Sequence, residues 1–155
     1  MSSAGLSKYG PVPGDYSPVE WEVRCDLAAC YRLVDHYGWS DLFGTHISLR
    51  VPGTDHFLLN PYGMLFGEIT ASSLVKVDQD GNTIGETDYP INPAGFTIHS
   101  AVHMSSHEMN AVLHTHTRAG NAVACMKDGL LPYHQKALTI LGFVGYHDYE
   151  SVALD

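Results

Sequence analysis

Residues 110–120 read NAVLHTHTRAG, an apolar run followed directly by two histidines one residue apart. In a β-strand the side chains at positions i and i+2 point to the same face, so His114 and His116 are expected to converge on one point. Two converging imidazoles are an arrangement typical of metal ligands. The stretch therefore predicts a strand that ends in a metal-binding pair.

The composition limits both the architecture and the partners. The chain has 155 residues, 45% of them hydrophobic, which is enough for one sizeable core and too few to argue for two domains. Eight Lys and Arg against 17 Asp and Glu give a net charge of -9, which disfavours nucleic acid and anionic membranes as partners. Three cysteines without a paired spacing, and no secretory or membrane-spanning segment, predict reduced thiols in the cytoplasm.

Hydrophobic periodicity predicts helices that flank a mostly antiparallel sheet. The N-terminal residues 1–17, rich in Ser, Gly and Pro, predict a mobile arm or a strap on a neighbour, and residues 18–155 predict a single domain. The expected order is a helix over 18–36 with Ser17 as N-cap, half-buried strands over 45–51, 56–60 and 73–78, a short strand over 83–86, a helix over 94–109, a strand over 110–116, a helix over 118–129, and one or two strands within 137–155.

Several motifs agree in order and spacing with those of one known family. They are GTHISLR (44–50), LLNPYGMLFGEIT (58–70), VKVD (75–78), NPAGFTIH (92–99), VLHTHTRAGNAVACMKDGLLP (112–132) and YHDYESVALD (146–155). Over roughly residues 18–155 the chain resembles the class II aldolase and adducin family. The resemblance implies an α/β fold in three layers (α/β/α) with a central, mainly antiparallel sheet, and assembly as a ring of four with sites at subunit boundaries.

The resemblance also implies a divalent metal held by three histidines. Two of them form the HxH pair, which falls on His114 and His116. The third is expected some sixty residues later, so we interpret the chain as a family member without its C-terminal portion. Recruitment of His147, His99 or a neighbouring subunit is the alternative. Zinc is the expected metal, with iron or manganese as alternatives, because imidazole suits several of these ions.

Other family positions are altered in ways that bear on the chemistry. In the family's aldolases the metal polarises a substrate carbonyl and a glutamate moves the proton, but the position of that glutamate falls on Gly95. The phosphate-binding serines are replaced by Pro93 and Ala94, and an asparagine of the early strand is replaced by His46. The resemblance therefore predicts a metal site without the aldolase acid and without anchors for a phosphate.

Candidate substrate-binding residues follow from the same resemblance. The positions that line the family's pocket are His46, Asn60, Tyr62, Gly63 and Asn92. Ordinary turn chemistry is the alternative explanation for the Asn, Tyr and Gly positions. His46 and Tyr62 are also the candidates for a replacement acid, since a general acid needs only reach and a suitable pKa.

Three further polar residues stand near these motifs. Arg118 suits a substrate carboxylate through a bidentate contact, with a surface salt bridge as the alternative. We expect His99 to pack near the site. His103 and His107 have the i, i+4 spacing of a helical chelate but are expected to be solvated helix residues.

Three functions are compatible with these observations. The preferred one is a metal-dependent lyase, decarboxylase or oxygenase that acts on a small oxygenated substrate without a phosphate. The alternatives are an adducin-like binding or scaffolding module without catalysis, and a sugar-phosphate aldolase that uses another acid. The expected partners are a small-molecule substrate and further copies of the same chain.

Overall fold

A computed structural model describes residues 5–14 and 16–149 of the chain. Its helices and strands follow in this order: β1 (Leu6–Ser7), β2 (Gly10–Pro11), α1 (Pro18–His36), β3 (His46–Arg50), β4 (Phe57–Leu59), a 3-10 turn (Phe66–Glu68), β5 (Val75–Val77), α2 (Pro93–Ser105), β6 (Ala111–His114), α3 (Arg118–Ala124), α4 (Gln135–Ile140) and a second 3-10 turn (Leu141–Phe143). No helix among these described residues is long and apolar enough to cross a bilayer.

The main sheet is antiparallel throughout, in the order β5-β4-β3-β6. Helix α1 packs on one face, and α2 packs on the other face against β3 and β6. The predicted three-layer α/β/α arrangement is therefore confirmed. The register between β3 and β6 pairs His46 with His114, which places one histidine of the HxH motif beside the first residue of β3.

Each face of the sheet has its own apolar cluster. On the α1 side, Tyr31 of the helix is fully buried, its hydroxyl contacts the Ile47 carbonyl and the Asn60 amide oxygen, and its ring packs against Phe66. On the α2 side, Phe57 stacks on Phe96 of the helix. Because both helices bury side chains against the strands, the sheet is covered on its two faces at the level of β3 and β4.

Strand β3 is more deeply buried than the predicted half-buried strand. Ile47 faces α1, as the alternation predicts, but the polar residues His46, Ser48 and Arg50 of the other face are also buried. The reason is α2, whose polar side chains cover that face instead of solvent. A strand with one polar face is thus buried on both sides.

The start of α1 agrees with its prediction, and the N-terminal residues form a small hairpin. The Ser17 hydroxyl oxygen accepts from the Glu20 N–H at 3.1 Å, which caps the helix as expected. Strands β1 and β2 pair with each other, and Lys8 between them binds Asp26 of α1 at 2.8 Å. Residues 1–4 and 15 lie outside the described residues, and the division of the chain at residue 17 stays a prediction.

The C-terminal segment corrects one prediction. Instead of strands, the described part of 137–155 contains the end of α4 and a 3-10 turn, and residues 150–155 lie outside the described part. A short apolar run does not by itself distinguish strand from helix, and here the His134 ring caps the helix by accepting from the Lys136 N–H. Neither α3 nor α4 contains a buried residue, and Phe143 is 91% exposed.

Several predicted elements were too long. The helix expected over 118–129 ends at Ala124, and the strand expected over 110–116 ends at His114. Helix α2 ends at Ser105, so His107 lies beyond it and is exposed. The short strand expected over 83–86 is reduced to a single bridge between Thr83 and Val77.

Candidate metal centre

The two histidines of the HxH motif meet at the end of β6. His114 is the last residue of the strand, and His116 directly precedes Thr117, the N-cap of α3. Their rings lie 4.7 Å apart between centroids, and their Nε2 atoms are 3.2 Å apart. Two nitrogens bound to one zinc at about 2.0–2.1 Å, at a tetrahedral angle, are separated by about 3.3–3.4 Å. The two side chains therefore fit a single metal ion.

Each ring has a partner on its other nitrogen. His116 Nδ1 donates to the Asp41 carboxylate at 2.9 Å, and His114 Nδ1 lies 3.1 Å from His46 Nε2. Metal-binding histidines are commonly oriented by such a contact on the nitrogen that faces away from the metal. Asp41 was not predicted as a site residue. It lies in the loop before β3, and no pattern in the sequence indicates that this loop approaches His116.

Behind His46, a series of hydrogen bonds runs into the layer between β3 and α2. His46 Nδ1 lies 2.8 Å from His99 Nε2, and His99 Nδ1 lies 2.6 Å from the Ser48 hydroxyl. The same hydroxyl lies 2.8 Å from His103 Nε2, and His103 Nδ1 lies 3.0 Å from the Met109 carbonyl. We call this series, from the Met109 carbonyl through His103, Ser48 and His99 to His46, the buried relay.

The relay corrects one prediction and confirms another. His103, expected to be solvated, is buried with both ring nitrogens bonded, because α2 turns it toward Ser48. His99 packs behind the site as expected. Ser48 and His103 were missed as functional candidates. The sequence places His99 and His103 at i, i+4 on a helix and His46 and Ser48 at i, i+2 on a strand, but these spacings do not indicate that the two faces meet.

Burial favours neutral imidazoles along the relay. It lowers the pKa of His46 to about 4 and the pKa of His99 to about 3, and neighbouring histidines add to both effects. Burial also lowers the pKa of His103, against the hydrogen bond to Met109, which raises it. The pKa of His114 is lowered by burial and by His116. Neutral rings are the form in which histidine binds a metal.

Gly95 and His46 occupy the space where the aldolase acid is expected. A Cβ atom built on Gly95 would lie 2.9 Å from His46 Cδ2 and 3.1 Å from its Cγ. Contacts shorter than about 3.0 Å essentially never occur for real Cβ atoms, so a side chain at position 95 requires His46 to move. The glycine at position 95 and the histidine at position 46 therefore depend on each other for their packing.

The structure separates the other predicted site residues into ones that are bonded within the fold and ones that are exposed. Asn60 is buried against the Tyr31 hydroxyl, and the Asn92 side chain caps α2 by accepting from the Ala94 and Gly95 N–H groups. The remaining predicted residues are Tyr62, which is exposed with its ring against Phe43, Gly63, which adopts φ +89°, and Arg118, which is exposed in the first turn of α3. The roles of these five residues in substrate binding stay predictions.

The described residues do not complete the metal site by themselves. Within residues 5–14 and 16–149, no group of three or more His, Cys, Asp or Glu side chains is placed to hold a metal ion. His99 is committed to His46 and Ser48, and His147 is exposed with its Nδ1 bonded to the Asp148 carbonyl. Two imidazoles alone bind a divalent ion weakly, so a further ligand is needed.

Comparison with known proteins gives the same family as the motifs. Residues 25–155 match the family model of the Class II Aldolase and Adducin N-terminal domain. The chain is 58% identical over 144 residues to a Pseudomonas aeruginosa protein named "Putative aldolase class 2 protein", which covers 93% of this chain and 56% of that one. It is 48% identical over 143 residues to mouse alpha-adducin, which covers 90% of this chain and 19% of that one.

A solved structure supports the same fold. The crystal structure of an aldolase II superfamily protein from Pseudomonas syringae is 56% identical and superposes with a TM-score of 0.86, over 90% of this chain and 57% of that chain. The present chain thus spans little more than half the length of these bacterial relatives. Given the match over 25–155 and these identities, the chain belongs to the class II aldolase and adducin family.

Proposed function

We propose that His114 and His116 bind a divalent metal and that the protein is a lyase, decarboxylase or oxygenase. Its substrate is a small oxygenated compound without a phosphate. One observation carries this proposal: the two Nε2 atoms lie 3.2 Å apart while both Nδ1 atoms have other partners. Zinc is the first choice of metal, with iron or manganese as alternatives.

The residues around the pair argue against sugar-phosphate aldolase chemistry. A metal held by His114 and His116 would supply a Lewis acid for a substrate carbonyl. The proton-transferring carboxylate is missing, because position 95 is a glycine and His46 fills its space. Pro93 and Ala94 offer no hydroxyl to a phosphate, and the Asn92 side chain is occupied in capping α2.

The proposed substrate contacts are exposed side chains. The Tyr62 hydroxyl is the preferred candidate for a replacement acid, because Tyr62 is exposed whereas both nitrogens of His46 are already bonded. Arg118, also exposed, is proposed to bind a substrate carboxylate. A third metal ligand from a neighbouring copy is consistent with the ring of four that the family resemblance implies, and we propose this assembly for the chain.

An adducin-like binding module is the second candidate, favoured by the 48% identity to mouse alpha-adducin. It needs no metal and no substrate. Metal uptake therefore distinguishes the two candidates directly.

The test is the metal content of the purified protein by elemental analysis, before and after incubation with zinc or ferrous iron. We expect about one equivalent per chain, and less than a tenth of that in a His114→Ala/His116→Ala double variant. A His36→Ala/His107→Ala variant is the matched control, because both of those histidines are exposed and neither is a candidate ligand, so it should keep the metal. A parent protein that takes up neither ion would contradict the enzyme proposal and favour the binding module.

A further inference from the structure

The hydrogen-bond directions along the buried relay can be assigned from its inner end. The Met109 carbonyl can only accept, so His103 Nδ1 must carry a hydrogen and donate to it. His103 is buried and neutral, so its Nε2 has a lone pair and no hydrogen. The Ser48 hydroxyl, 2.8 Å away, must therefore donate to His103 Nε2.

The remaining directions follow one after another. Having used its only hydrogen, the Ser48 oxygen accepts from His99 Nδ1, which leaves His99 Nε2 as an acceptor. His46 Nδ1 then donates to His99 Nε2, and His46 Nε2 in turn accepts from His114 Nδ1. At the outer end, His114 Nε2 is left with a bare lone pair.

The opposite set of directions is excluded by the same bonds. If His46 donated to His114 Nδ1, the only hydrogen of the neutral His114 ring would lie on Nε2. This hydrogen would point at His116 and would prevent the pair from binding a metal. The Ser48 hydroxyl would then have to donate to His99, and two lone pairs would face each other between Ser48 and His103. Avoiding this contact would require a doubly protonated, buried His103, which burial opposes.

We propose that the buried relay, from the Met109 carbonyl through His103, Ser48, His99 and His46, fixes His114 in its Nδ1–H tautomer and so presents the Nε2 lone pair to a metal. This inference rests on the proposed metal site. These four side chains are positioning residues, since they act through the His114 ring, which His46 contacts at Nδ1. The relay ends at a carbonyl, which cannot release a proton, so it orients the ring and does not conduct protons.

The pair has a second consequence for metal binding. His116 donates from Nδ1 to Asp41, and in the tautomer that carries its only hydrogen on Nδ1 its Nε2 is also an acceptor, 3.2 Å from that of His114. Two facing acceptors repel each other unless a cation lies between them. A metal ion between the two acceptors would remove this repulsion, as would a second proton on the His116 ring.

The first test reads the tautomers directly, in protein stripped of metal with a chelator. Two-bond ¹H–¹⁵N NMR of the histidine rings distinguishes the Nδ1–H and Nε2–H forms. We expect His46, His99, His103 and His114 all to be in the Nδ1–H form near neutral pH, although free histidine prefers the Nε2–H form. An Nε2–H form at His99, His46 or His114 would overturn the proposal, whether or not the protein binds metal.

The second test measures zinc affinity by competition with a chromophoric chelator. Ser48→Ala removes the one hydroxyl of the relay, and Ser100→Ala removes a buried hydroxyl next to His99 that bonds to the Thr97 carbonyl. We expect Ser48→Ala to weaken zinc binding 10- to 100-fold and to shift His114 toward the Nε2–H form, with Ser100→Ala near the parent. Equal affinities of the two variants would overturn the relay.

The two proposals fail in different ways. If the parent protein takes up no metal, the proposed function fails, while the tautomers of the metal-free protein still test the relay. If the parent binds zinc and Ser48→Ala binds it equally well, the relay fails and the metal site stands.

Discussion

The two proposed metal ligands are held in opposite ways. His114 is supported by buried groups, and both Ser48 and His99 behind it have no exposed surface. His116 is supported by one carboxylate, Asp41, whose side chain is 57% exposed in the loop before β3. One ligand thus depends on the packing between β3 and α2, and the other depends on a surface contact.

This difference indicates which of the two ligands is held rigidly and which can adjust its position. A buried hydrogen bond is strong because the surroundings are poorly polarisable, and its loss leaves unsatisfied groups in the interior. A surface contact competes with water and is worth less. We therefore infer that His114 is preset before a metal arrives, whereas His116 completes the pair. Perturbing the buried side should cost more than perturbing the exposed side.

The largest effect is expected from Gly95→Ala, which adds one methyl group beside His46. The new Cβ would lie 2.9 Å from His46 Cδ2, so the ring must shift and its bond to His114 is lost. We expect zinc binding to weaken 10- to 100-fold, together with about 1–3 kcal/mol of stability lost through overpacking. Chelator competition and urea denaturation measure the two effects.

The control for this variant lies in the exposed C-terminal segment. A Cβ on Gly142 meets nothing within 4 Å, so Gly142→Ala should leave zinc affinity unchanged and stability within about 0.5 kcal/mol. Unchanged zinc binding in Gly95→Ala would show that His46 does not support His114.

A smaller effect is expected from acid on the metal-free protein. Burial, with His46 nearby, lowers the pKa of His99 from 6.5 to about 3, so the unfolded chain takes up a proton where the folded chain does not. The free energy of unfolding is therefore fully present above about pH 6.5 and falls as the pH drops from there toward 3. Between pH 7 and 5, His99 alone should account for a loss of about 2 kcal/mol, measured by urea denaturation.

Two variants identify the source of this pH dependence. His99→Gln should reduce the slope between pH 7 and 5 by the share of His99 and leave the rest, because the pKa values of His46, His103 and His114 are lowered as well. His147→Gln removes an exposed histidine and should keep the slope of the parent. A parent protein whose stability does not change over this range would contradict a neutral, buried His99.

The fold and the HxH pair could be predicted because their signals are local. Alternation in 45–51 indicated β3, and the spacing of His114 and His116 indicated that their rings converge. The motifs then supplied the topology that joins these elements. Boundaries were less certain, and the apolar run in 137–144 was assigned to the wrong element because such a run fits both a strand and a helix.

The relay could not be predicted because it depends on how two distant elements face each other. Ser48 in a strand, and His103 in a helix 55 residues later, each have an ordinary explanation as solvent-facing polar residues. Only the packing of α2 over β3 brings the polar face of the helix and the polar face of the strand into contact. Asp41 is a further case, since its contact with His116 spans 75 residues.

The smallest effect is expected on the exposed side, from Asp41→Asn. The amide oxygen can still accept from His116 Nδ1, so the ring keeps its orientation and loses only the negative charge of its partner. Because Asp41 is largely solvated, this charge is worth little, and we expect zinc affinity to fall less than tenfold. Asp80→Asn, an exposed charge change in the turn after β5, is the control and should have no effect. If Asp41→Asn weakens zinc binding more than Ser48→Ala does, the exposed contact dominates and the order of importance between the two ligands is reversed.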